Sequence, residues 1–87
     1  MFLHLGQNTV VLKKSVIGIF DIDTTTISAT TREFLAKAQR DGRIVNVSEE
    51  LPRSFVVTED KTVYISQLSP SVLEKRVGEK AVFQTDL

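Results

Sequence analysis

Two stretches of the chain, Val16-Ile17-Gly18-Ile19-Phe20 and Ser54-Phe55-Val56-Val57, run through consecutive apolar positions. A strand built from either has almost no polar face, so it belongs in a sheet covered on both sides. The chain has only 87 residues to supply that cover, and a domain of this size buries roughly 60–65% of the surface its unfolded chain exposes. There is no cysteine, which removes disulfide staples, thiolate metal sites and a cysteine nucleophile together. Stability must come from a compact core, a partner subunit, or both.

Val, Ile and Thr number 11, 6 and 9. These β-branched side chains are stiff at χ1 and suit a pleated surface, so strands should dominate. Strands are expected at residues 2–5, 9–13, 16–21, 43–47, 54–58 and 62–67. Gly6-Gln7-Asn8 turns the first into the second, and Glu59-Asp60-Lys61 joins the last two as a hairpin. Lys13, Lys14 and Ser15 form a basic elbow, while 23–27, with Thr24, Thr25 and Thr26, reads as a loop. Ser48 to Pro52 reads as a polar loop.

A helix is expected over about 30–41. Thr30-Thr31-Arg32-Glu33 fits a capping box, Thr31, Phe34, Leu35 and Ala38 form one stripe, Ile27 staples onto it, and Asp41-Gly42 stops it. Ser69-Pro70 opens a short C-terminal helix over about 70–77, with Gly78 as its stop. The fold class is therefore α+β, a small strand-rich domain of about six strands and two helices. Residues 1–78 make a single domain, and 79–87, which lack a clear period, are expected to be a mobile tail.

Two short helices cover one face of a six-stranded sheet, hardly both. The remaining apolar face is expected to meet another copy of the chain, which implies a homo-oligomer. The first residues lack a charged region and an apolar run long enough for a signal peptide, and no stretch approaches a transmembrane span. A cytoplasmic protein without a membrane association is the expectation.

Catalytic chemistry is hard to assemble, so no catalytic residue, cofactor, metal or small-molecule substrate is expected. His4 is the sole histidine and shares a strand face with Phe2. Asp21 and Asp23 lie two apart, but no third metal ligand is near in sequence, and a turn whose aspartates satisfy local amides explains them better. Gly6, Gly18, Gly42 and Gly78 stand alone and make no phosphate loop.

Cations are the remaining constellation. Lys and Arg total 11, as do Asp and Glu, which excludes a basic wrap built by composition alone. Lys13 and Lys14 in the elbow, Arg43, and Arg53 just before a strand are the candidate nucleic-acid contacts. A ring of subunits would repeat them as a periodic array facing phosphates even though each subunit is neutral. The remaining helix cations, Arg32 and Arg40, fit a solvated face.

The ordered set Leu5-Gly6, Val16-Ile17-Gly18-Ile19-Phe20-Asp21, Arg53-Ser54-Phe55-Val56-Val57, Tyr64-Ile65-Ser66, Ser69-Pro70 and Lys75-Arg76 resembles the RemA/RemB family of bacterial extracellular-matrix regulators. The match is closest to its RemB (YaaB-like) branch and runs over residues 1–77. The resemblance implies a cytoplasmic protein of spore-forming Gram-positive bacteria that helps switch on biofilm matrix genes. The RemA branch implies DNA-binding rings with arginines on the ring; its arginine before the Val-Val strand corresponds to Arg53, and its basic turn position falls at Lys14 or Ser15. Where that branch carries an arginine pair, this chain reads Glu49-Glu50-Leu51-Pro52, which weakens phosphate binding by that loop. The expected function is a non-enzymatic, ring-like, DNA-associated regulator of matrix gene transcription. The alternative is an oligomeric protein-interaction module whose Glu49, Glu50 and Leu51 meet a protein partner.

Overall fold

Strand β5, Ser54–Thr58, is buried along its whole length, and the rest of the chain is arranged around it. The computed structural model describes residues 1–22 and 28–81. The elements preceding β5 are β1 (Phe2–Gly6), β2 (Thr9–Leu12), a 3-10 turn (Lys13–Ser15), β3 (Val16–Asp21), α1 (Ala29–Arg40) and β4 (Ile44–Asn46). After it come β6 (Val63–Ser66) and α2 (Pro70–Ala81). The α+β class and the six strands are as expected.

The strands divide into two sheets. β1 and β2 form a separate antiparallel hairpin, and the other four run in the order β3-β5-β6-β4. β5 is antiparallel to both neighbours, while β4 runs parallel to β6 at one edge. Alternation along β5 sends Phe55 and Val57 into a cluster with Ala38 of α1 and Val63. Val56 points the other way, into a cluster with Leu3, Leu5 and Val11 of the hairpin, Val47, and Leu73 of α2. The sheet is thus the middle of three layers, which accounts for strands with no polar face.

That division corrects the premise of a bare sheet face. The expectation assumed one six-stranded sheet, but the chain folds two of its strands into a cover for the other four. The exposed large apolar side chains are scattered: Met1, Phe2, Val10 and Leu12 at the hairpin, Ile17 and Val45 on the edge strands β3 and β4, Leu51 in the loop before β5, and Val72 on α2.

Ile17 is exposed for a local reason. The β3–β5 register moves from Val16 opposite Thr58 to Gly18 opposite Val57, so Ile17 is the extra residue of a β-bulge. Next to it, a Cβ on Gly18 would lie 2.6 Å from the Phe20 ring. The missing side chain lets that ring stack on Phe55, centroids 5.0 Å apart and 17° between planes.

Helix α1 begins before the expected box. Ser28 is the N-cap, in extended conformation, and its hydroxyl accepts from the Thr31 amide at 3.4 Å. Thr31 is then the third helical residue, which leaves Glu33 two positions too far along to close a capping box. The stripe of Thr31, Phe34, Leu35 and Ala38 does face inward, with Ala38 fully buried, and Gly42 ends the helix at φ +72°. The expected loop at 23–27 and the staple from Ile27 lie outside the described residues.

Helix α2 begins at Pro70 as expected, with the Ser69 hydroxyl accepting the Val72 amide at 3.3 Å. It does not stop at Gly78 but continues to Ala81. Gly78 is not among the residues with positive φ, so it costs the helix some stability without ending it. Of the expected tail over 79–87, residues 79–81 continue this helix and 82–87 lie outside the described residues.

Candidate nucleic-acid interface and cationic sites

The four candidate cations occupy different parts of the frame. Lys13 and Lys14 sit in the 3-10 turn, where the Lys13 amide donates to the Met1 carbonyl at 3.0 Å and the Ser15 hydroxyl donates to the Leu12 carbonyl at 2.8 Å. These two bonds fix the elbow at the end of the hairpin, leaving Lys14 exposed and Lys13 half-buried.

Arg53 is also exposed, on a main chain held from both sides. Its amide donates to the Ser66 carbonyl at 2.9 Å and its carbonyl accepts from the Ile22 amide at 3.3 Å. Lys14 and Arg53 are not neighbours within one subunit. Lys14 precedes Val16, which faces Thr58, whereas Arg53 precedes Ser54, which faces Asp21. They flank opposite ends of the β3–β5 ladder, on the order of 15–20 Å apart at ~3.3 Å per residue.

Arg43 is drawn into the fold. Its guanidinium donates to the Lys61 carbonyl, donates to Asp41 Oδ2 at 3.3 Å, and lies 5.9 Å from the centroid of the Phe34 ring. It clamps the turn after α1 to the β5–β6 turn. Lys37 donates to the same Asp41 oxygen at 3.2 Å. That hydrogen bond first, and the Lys37 and Arg43 charges with it, hold the Asp41 carboxyl below its ordinary pKa. In the β5–β6 turn, the hydrogen bond from the Thr58 hydroxyl at 2.6 Å, then that from the Thr62 amide at 3.1 Å, lower Asp60 in the same way.

A constellation that the sequence did not signal lies at the hairpin. An open cavity of about 520 Å³ is lined by Phe2, Leu3, His4, Gly6, Gln7, Lys13 and Arg76. Arg76, on α2, donates through Nη1 to the His4 carbonyl at 3.0 Å across 72 positions of sequence. No local pattern announces a pair so far apart; only the packing of α2 against β1 creates it.

The acidic loop is prominent. Glu49, Glu50 and Leu51 are exposed, Leu51 to 81%, and the Glu50 amide donates to the Ser48 hydroxyl at 3.0 Å. Glu49 and Glu50 share an open recess with Gln7 and Asn8 of the β1–β2 turn. Among the described residues no group of three His, Asp or Glu side chains is placed to hold a metal ion. Asp21 is half-buried at the end of β3, and its sequence companion Asp23 lies outside the described residues. No helix among them is long and apolar enough to cross a membrane.

Comparison with known proteins identifies the family. A family model described as RemA-like, extracellular matrix regulatory protein A-like, matches residues 2–77. The chain is also 38% identical over 76 residues to the extracellular matrix regulatory protein B of Bacillus subtilis (strain 168), an alignment that covers 87% of this chain and 89% of the relative.

Proposed function

Because the chain belongs to the RemA-like family of extracellular matrix regulatory proteins, we propose that it is itself a regulator of matrix gene expression. In this reading it is a non-enzymatic, cytoplasmic homo-oligomer, ring-like, that associates with DNA. Lys14, exposed in the 3-10 turn, and Arg53, exposed just before β5 with its main chain held by hydrogen bonds, contact phosphates. Lys13 supports them from the same elbow, and Arg43 contributes through its charge while its guanidinium serves the fold. Phosphate contacts of this kind position a protein on DNA without reading sequence.

The observation that carries the reading is the placement of Lys14 and Arg53 at opposite ends of one rigid strand ladder. A single subunit offers two separated cations, and only repetition of the subunit turns them into a continuous track. Exposed apolar side chains on the hairpin and at Ile17, together with the outer edge of β3, supply surfaces for such repetition. A mobility-shift titration against matrix-gene promoter DNA tests the reading. Binding weakened by Lys14→Ala together with Arg53→Ala supports it; no binding at low salt, or binding unchanged by the pair, overturns it.

A second reading rests on the exposed Leu51 beside Glu49 and Glu50. Here the oligomer is an interaction module, and this acidic, apolar-tipped loop meets a protein. Pull-down after nuclease treatment separates the two: a partner retained favours the module, and one lost favours nucleic acid.

A further inference from the structure

The cavity between the hairpin and α2 brings two cations to one surface. The protein as a whole is neutral, yet the described residues that line this cavity include Lys13, Arg76 and His4 and, among them, no carboxylate. The two cations come from distant elements, the elbow after β2 and the middle of α2, so their convergence is a product of the fold. Arg76 donates one N–H to the His4 carbonyl, which holds its guanidinium at the cavity, and a guanidinium carries four further N–H donors that can meet an acceptor. A held guanidinium and an ammonium at one concave surface form a natural receptor for a phosphate oxygen set.

The walls narrow the ligand further. Phe2 lines the same cavity and is 61% exposed, so its ring presents a flat apolar surface beside the cations. His4 adds a second ring, and Gln7 an amide able to donate or accept. At about 520 Å³ the space is in the range of small-molecule sites and larger than a bare anion needs. We propose that this cavity binds a nucleotide, its phosphate held by Lys13 and Arg76 and its base against the Phe2 ring. This gives the regulator a ligand site that shares Lys13 with the proposed DNA contacts and is otherwise apart from Lys14 and Arg53. Two sources share the chemistry: a free nucleotide, and an unstacked nucleotide of single-stranded nucleic acid, whose bases also stack on aromatic rings.

The test follows backbone amide resonances of the full chain while inorganic phosphate, AMP and a short single-stranded oligonucleotide are titrated separately. The expected result is that phosphate and AMP shift the amides of residues 2–7, 13 and 76, with AMP binding the more tightly. Lys13→Gln should weaken AMP at least tenfold, the scale of one charge-assisted hydrogen bond. Phe2→Ala should erase the advantage of AMP over phosphate. Arg76→Gln also removes the tie to His4, so the Lys13 variant, whose main-chain bond to Met1 is untouched, keeps the test independent of folding. Tighter binding of the oligonucleotide at the same amides assigns the site to nucleic acid and supports the phosphate chemistry. No shift of these amides up to about 10 mM phosphate and AMP, or an AMP affinity unchanged in Lys13→Gln, overturns the proposal.

Discussion

The Ser66 hydroxyl donates to the Leu5 carbonyl at 2.7 Å, joining the hairpin to the sheet across 61 positions of sequence. Both residues are fully buried, and the same oxygen accepts the Leu68 amide at 3.0 Å. Ser66→Ala therefore leaves a buried carbonyl and an amide without this partner. It is expected to cost about 1–3 kcal/mol, the scale for stranding a buried polar group, measured as a lower denaturant midpoint at unchanged m-value.

The glycines should respond in opposite directions. Gly6 has φ +120°, and a Cβ there would lie 2.8 Å from the Gln67 side-chain oxygen. Gly6→Ala combines a disfavoured backbone with a close contact and should cost more than ~1 kcal/mol. Gly78 lies within α2 with nothing within 4 Å of an added Cβ. Gly78→Ala should stabilise by up to ~1 kcal/mol, and thermal melts of the two variants compare them directly.

Acid should loosen the β5–β6 turn. The Asp60 carboxyl is lowered mainly by the Thr58 hydroxyl and then by Thr62, so the folded state favours its ionised form. A group with a depressed folded pKa stabilises above its unfolded value and loses that contribution as pH falls through the folded one. The window opens below about pH 4. Amide exchange at Thr62 should accelerate there, and Asp60→Asn should flatten the dependence.

Reversing the acidic loop separates the two functional readings. Glu49→Arg with Glu50→Arg removes two exposed anions and adds two cations. Affinity for DNA should rise and the slope of log K against log salt should steepen by up to ~2 units at ~0.9 per phosphate contact. Loss of a nuclease-resistant partner without any gain on DNA would favour the protein-interaction reading.

Much of the frame was legible because its signals are local. The double-faced run at Ser54-Phe55-Val56-Val57 marked β5, Ser69-Pro70 marked the start of α2, and Asp41-Gly42 marked the end of α1. The division into two sheets was not legible, since hydrophobic alternation specifies a strand's faces and not its neighbours. The Ile17 bulge shows in the pairing register alone. Ser28 over Thr30 as cap was decided by backbone conformation that either residue type allows. Among the candidate cations, the sequence located Lys14 in an elbow and Arg53 just before a strand but not their separation, and it could not show Arg43 engaged with Lys61 and Asp41. The Arg76–His4 contact joins two segments 72 positions apart and leaves no trace in either one.

The salt dependence of binding to a matrix-gene promoter duplex tests DNA association most directly. The account predicts measurable affinity at about 50 mM salt and a linear fall of log K with log salt, with a slope of several units because an oligomer repeats Lys14 and Arg53. No binding at low salt, or a slope indistinguishable from zero, would contradict it.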